Sequence, residues 1–249
     1  ILMVISGVML HSLYRFDGTF GITEGQHVLD EESHYFFITK GALSREPAGK
    51  FALTLQDIDR KFPVKDATTE AARVHLKPLK GGAPVEGLLR INQPFLWGGI
   101  EFHYGALTGY SPEILVMDSA GGVVFRRFMR MKVRKSGDEW IHADFIELED
   151  SHTRIEVQII EGDRQESPQR RQLSVSRGDS ILFVGEVAAA DTVVAGALRV
   201  AVPRIRNWCY LHAVRNPWLW MVFTGFWVGL AGLTITVLPR TFPRKGHRS

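Results

Sequence analysis

Residues 218–238 read WLWMVFTGFWVGLAGLTITVL, 21 residues without a charge, whose apolar run is broken only by three Thr and three Gly. At about 1.5 Å of rise per residue, a helix of this length covers the roughly 30 Å hydrocarbon core of a bilayer. Asn216-Pro217 precedes the stretch, Pro239 follows it, and Trp218 and Trp220 stand where an aromatic belt lies. The reading is a transmembrane helix over 217–239. Gly225, Gly229 and Gly232 line up as a G-x-x-x-G motif with a further small residue one turn on. Such a stripe lets a neighbouring helix approach closely, so a packing partner is expected, either an upstream helix or another subunit.

The opposite end is also uncharged. ILMVISGVMLHSLY, residues 1–14, has ten apolar side chains and no Asp, Glu, Lys or Arg. It is too short to span alone, and it lacks the initial Met and basic region of a signal peptide. It is expected to be the end of a truncated transmembrane helix with more protein upstream. All the charge therefore lies between, or in the tail. The chain totals 30 Lys+Arg against 27 Asp+Glu, net +3, but residues 15–216 carry 26 basic and 27 acidic side chains, and residues 240–249 add Arg240, Arg244, Lys245 and Arg248. A neutral domain with a basic tail is no nucleic-acid binder, since the domain offers no excess of positive charge.

That tail carries no acid, which by the positive-inside rule makes it cytoplasmic and puts the long middle segment outside. The expected location is the cell inner (plasma) membrane, with an extracytoplasmic or periplasmic domain over 15–216 in contact with membrane lipid. The single cysteine, Cys209, excludes a disulfide scaffold.

Within 15–216 the dominant pattern has period 2. Phe51, Leu53 and Leu55 alternate with Ala52, Thr54 and Gln56, and Ile155, Val157 and Ile159 with Arg154, Glu156 and Gln158. Ile114–Met117 and Val123–Phe128 flank Asp118-Ser-Ala-Gly-Gly122 as a hairpin. Further strands are expected near 35–39, 73–78, 85–92, 99–107, 172–175, 180–184, 192–202 and 206–212. Turns are expected at 80–84, Gly109-Tyr-Ser-Pro112 and Ser136-Gly-Asp138, and a mobile loop at Gly162–Arg171. No helical stripe appears between Gly18 and Asn216. The fold class is mainly β, an antiparallel β-sandwich-like extracytoplasmic domain flanked by transmembrane helices.

The chain carries no nucleophile elbow, phosphate loop, H-E-x-x-H or C-x-x-C. Asp57-Ile-Asp59 puts two carboxylates on one strand face, which suits either a metal site or a solvated strand end. The nine histidines are scattered, and His27, His34, His75, His142 and His152 read as surface residues. Three positions are candidates for contact with a cofactor. His11 shares a helix face with Gly7 at the membrane boundary, where an ionisable group is either functional or snorkelling beside Tyr14. His103 stands on a strand between Phe102 and Tyr104. Cys209 offers a thiol about eight residues before the membrane helix, or a small buried side chain.

The segment GLLRINQPFLWGGIEFHYGALTGYSPEILVMDSAGGVV, residues 87–124, resembles the ResB (CcsB) family of system II cytochrome c biogenesis proteins through Asn92, Pro94, Gly98 or Gly99, Phe102 and Tyr104. FALTLQDIDRKFPV, GITEGQ and NPWLWMVFTGFWVGLAGLTITVLPRTF are similar to other parts of that family in the same order, so the likeness covers nearly the whole chain, as its C-terminal half. His103-Tyr104 departs from the family's more usual Tyr-Gln. The family's membrane histidine would fall upstream of Ile1, and His11 does not replace it. The heme-handling WWD segment of the partner family is not in this chain. The resemblance implies a membrane subunit that acts with a ResC/CcsA-type protein to deliver heme to apocytochrome c and attach it at the outer membrane face. Its part would be that of a non-catalytic scaffold or chaperone in a heme lyase complex. The alternatives are a structural β subunit of a membrane redox complex, or the extracytoplasmic domain of a transporter or sensor.

Overall fold

The computed structural model describes residues 2–64, 67–136, 139–161, 170–189 and 191–241. In chain order, helix α1 (Leu2–Tyr14) leads into β1 (Phe16–Thr23), β2 (His27–Leu29), β3 (Phe37–Lys40), β4 (Phe51–Val64), β5 (Ala67–Pro78), β6 (Val85–Arg90) and β7 (Phe95–Trp97). The long β8 (Ile100–Met117) follows, then β9 (Val123–Phe128), β10 (Lys132–Ser136), β11 (Glu139–Leu148), β12 (Thr153–Glu161) and β13 (Arg170–Arg177). The chain closes with β14 (Ser180–Glu186), β15 (Thr192–Ala195), β16 (Leu198–Ala201), β17 (Ile205–Arg215) and helix α2 (Leu219–Thr241). The protein is mainly β, and the pairings of its strands are antiparallel.

Three sheets form. The largest has the order β15-β16-β8-β17-β1-β3, with β7 and β9 also pairing β8; β10 to β14 make a meander, and β2-β4-β5-β6 a four-stranded sheet. Two separate cores result. The first gathers Phe20 and Ile22 of β1, Phe102 of β8 and Leu211 of β17 with Phe51, Leu53 and Leu55 of β4. The second gathers Ile114 and Val116 of β8 and Val200 of β16 with Ile155, Val157 and Ile159 of β12. Even-numbered residues of β8 feed both cores, because side chains two apart share a sheet face. One face of the large sheet is thus covered twice, by the small sheet at one end of β8 and by the meander at the other.

β8 overturns one expectation. The Gly109-Tyr-Ser-Pro112 stretch is no turn; the strand runs straight through it, so the expected 99–107 and 114–117 segments are one strand of 18 residues. Pro112 is tolerated because the Glu113 N–H is the one that points toward the β17 side, to the Arg204 carbonyl, so by alternation the ring nitrogen of Pro112 faces away from it, and its carbonyl still accepts the Met129 N–H. The expected hairpin between β8 and β9 does form, with Asp118 Oδ1 accepting the Gly122 N–H at 2.8 Å. The 192–202 segment divides into β15 and β16 around Gly196, whose φ is +65°. β1, β2, β7, β10 and β11 were not foreseen from local pattern. Residues 162–169 of the expected loop, and 137–138 of the expected turn, lie outside the described residues, as does the tail from 242.

The helices are placed by strand pairing. Phe16 of β1 is opposite Arg215 of β17, so α1, which precedes β1, and α2, which follows β17, leave adjacent strands side by side. Tyr14 and Trp218 touch at 6.2 Å between ring centroids. Leu219–Val237 of α2 has a mean hydropathy of 1.6 and is long and apolar enough to cross a membrane; α1 is a shorter apolar helix. Thr224, Thr234 and Thr236 each donate their hydroxyl to the carbonyl four residues back, so α2 exposes no unsatisfied hydroxyl there. The 41–50 loop folds against the helix–strand junction. A Cβ on Gly41 would lie 2.3 Å from the Ser12 carbonyl oxygen, so only glycine fits. The nearly buried Glu46 carboxylate accepts from both Lys50 and Arg215, fastening the loop to the end of β17.

Candidate functional site

The face of the large sheet opposite the cores is open, and β17 shows how it is made. In Trp208-Cys-Tyr-Leu-His212, Cys209 and Leu211 point into the first core, so Trp208, Tyr210 and His212 point the other way. His212 is the direct cross-strand partner of His103 on β8, which places their Cβ atoms about 4.5–5.5 Å apart. Each imidazole has a carboxylate neighbour. His103 Nε2 is 3.2 Å from Glu101 Oε2, and His212 Nδ1 is 3.1 Å from Thr19 Oγ1 and 4.0 Å from Asp17 Oδ1. Both rings are more than a third exposed. His212 is three residues from the end of β17, about 10 Å along the strand from its helix-bearing end at ~3.4 Å per residue.

Further along this face the surface becomes aromatic. Trp208 and Tyr210 meet edge to face at 5.1 Å, and Phe36, just before β3, leans on Tyr210 at 5.7 Å. Gly109, opposite Trp208 on β8, leaves the space where the indole nitrogen of Trp208 and the His142 ring converge; a Cβ there would lie 2.9 Å from Trp208 Nε1. His142, expected at the surface, is buried at 4% exposure with its ring against Tyr110.

Other sequence candidates serve the fold. Cys209 is fully buried, and burial, followed by the negative charges of Glu70 and Glu24, pushes its thiol well above the ordinary range, so it stays protonated and unreactive. His11 is half-buried, with a buried Nδ1 that has no hydrogen-bond partner. Asp57 pairs with Arg73 at 2.9 Å, and Asp59 accepts the Lys61 N–H. Among the described residues no group of three or more His, Cys, Asp or Glu is arranged to hold a metal ion.

The residues that carried the family resemblance are architectural. Asn92, at φ +61°, occupies the turn between β6 and β7, with Pro94 just beyond it. Gly98 and Gly99, both at positive φ, form the two-residue turn between paired Trp97 and Ile100. Phe102 is in the first core, and Tyr104 beside it donates its hydroxyl to Glu70. In the helix pair, Gly225 packs on Val4 of α1 and Gly7 on Val222 of α2, so the G-x-x-x-G motif is used inside this chain at its first glycine. Among the described residues, a Cβ at Gly229 or Gly232 would meet no atom within 4 Å.

His212, Tyr210, Trp208 and Phe36 escaped sequence reasoning. The alternation in NWCYLH was a legible signal that Trp, Tyr and His share a face, but not that His103 lies opposite. No protein-family model and no curated protein matches this chain.

Proposed function

We propose that this chain is a ResB-like membrane subunit of system II cytochrome c maturation, acting with a ResC/CcsA-type protein. The observation that carries the reading is the adjacency of His103 and His212 on an open sheet face, about 10 Å along β17 from its helix-bearing end. On this reading α2 and α1 hold the stacked-sheet body at the outer face of the plasma membrane, and the exposed face presents apocytochrome c to the partner. Heme is the cargo, and the two half-exposed imidazoles are the groups of this chain suited to meet its iron. The body contributes position and local concentration and needs no nucleophile of its own. Gly229 and Gly232 are the part of the small-residue stripe left for a partner helix.

The test is deletion of residues 18–215 in the host, with the helices retained. Covalent heme on c-type cytochromes, read by heme staining of denaturing gels, is expected to vanish while b-type heme proteins persist. Normal c-type levels would remove the assignment and leave the role of a structural subunit in a redox complex.

A further inference from the structure

Beyond the histidine pair, the same open face holds a cavity of about 500 Å³ between β17, Phe36 and the segment that links β9 to β10. Its floor and mouth differ. Trp208 in the floor is 7% exposed, whereas Phe36 and Leu107 at the mouth are 72% and 55% exposed. Perpendicular and tilted rings around a recess favour a flat apolar guest, because ring contacts add to the gain from area alone.

The charge around this recess is not that of the domain as a whole. Residues 126–135, RRFMRMKVRK, hold six cations and no acid, although residues 15–216 together are net −1. Arg126 is committed to the buried Glu113, but Arg130 and Lys132 wall the cavity. Arg130 donates from one guanidinium nitrogen to the Gly21 carbonyl, which fixes the group in place and leaves further donors of its fork. Arg130 and Phe36 also border a smaller cavity of about 300 Å³ with Gln26, Ser33 and His34, so the arginine stands between an apolar and a polar compartment.

We propose that this cavity binds a small amphipathic anion: a flat ring body held by Phe36, Trp208 and Tyr210, with a carboxylate or equivalent oxyanion on Arg130 and Lys132. Tyr210 is five residues from the end of β17, about 17 Å along the strand from its helix-bearing end, and the proposed guest is a free molecule. The proposal is independent of any role in cytochrome maturation.

The test uses the full chain in lipid nanodiscs, titrated with 1-anilinonaphthalene-8-sulfonate and with N-phenyl-1-naphthylamine, which has the same rings without the anion. Empty nanodiscs give the lipid background. Saturable fluorescence above that background is expected, tighter for the sulfonate. Lys132→Gln and Arg130→Gln together should weaken the sulfonate about tenfold or more, as loss of charge-assisted contacts does, and leave the neutral probe within about twofold. Leu107→Glu, an exposed change at the mouth, should abolish sulfonate binding without altering the thermal melt, which covers the case in which Arg130→Gln harms folding. Absence of saturable binding, equal affinity for the two probes, or binding indifferent to Leu107→Glu would overturn the proposal.

Discussion

Replacing Glu24 with Ala should loosen the joint between the large sheet and the small one. Glu24 follows β1, and its Oε1 accepts the Ile58 N–H of β4 and the Asn207 side-chain amide of β17, each at 2.9 Å. Its Oε2 accepts the Asn207 backbone N–H, also at 2.9 Å. Alanine keeps the bonds made by the Glu24 backbone, including its carbonyl to Arg206, and strands three N–H donors. A hydrogen bond to a charged acceptor contributes about 1.5–3 kcal/mol. Glu24 is half-buried, so water replaces part of the loss, and the net cost should be about 3 kcal/mol. For a body of this size each kcal/mol moves the melting temperature by about 2–4 °C, so the variant should melt about 6–12 °C lower. Circular dichroism of the full chain in detergent reads this directly. Glu24→Gln retains one acceptor oxygen and turns an amide donor toward a donor, so it should fall between wild type and alanine. A folded Glu24→Ala that melts within about 2 °C of wild type would refute the claim that this carboxylate joins the sheets.

The buried thiol and the helix pair give three further outcomes. Cys209 should resist thiol reagents until the protein unfolds. Because its folded thiol ionises above the unfolded one, whose pKa is about 8.5, the stability it contributes is intact below that pH and is lost as pH rises past it. Cys209→Ala should remove the onset of this alkaline slope in urea titrations, while the raised Tyr35 and Tyr104 hydroxyls keep the part above about pH 10; an unchanged onset would count against the thiol. Gly225→Leu should force α1 from α2 and lower the melting temperature, whereas Gly229→Leu should not, since a Cβ at 225 would lie 2.8 Å from Val4 and one at 229 meets nothing. Equal effects of the two substitutions would contradict the packing described.

The strands legible in the sequence were those with one face in a core and the other in water. β4 and β12 announce themselves because Phe51, Leu53 and Leu55, and Ile155, Val157 and Ile159, are buried while their neighbours are not. β1 did not, because Gly18 and Gly21 interrupt its alternation: Gly18 makes room for the Tyr35 ring and Gly21 for Arg130, contacts made by distant residues. Likewise the Gly-Tyr-Ser-Pro turn signal in β8 is local, and the strand partners that override it come from residues 199–214. Of the three cofactor candidates, His103 alone is on the open face; Cys209 read as a strand residue near the membrane helix, and only its register decided that it faces inward.

By itself, then, the sequence determined the mainly β class, the apolar helix at 219–237 and the hairpin turn at Asp118–Gly122, since these depend on period, composition and local backbone freedom. Pairing decided the rest. That His103 faces His212, that both apolar helices leave from neighbouring strands, and that Trp208, Tyr210, Phe36 and Arg130 close around one cavity are consequences of register between segments up to about 200 residues apart. Register is fixed by burying two cores at once, a collective condition that no short stretch of chain carries alone.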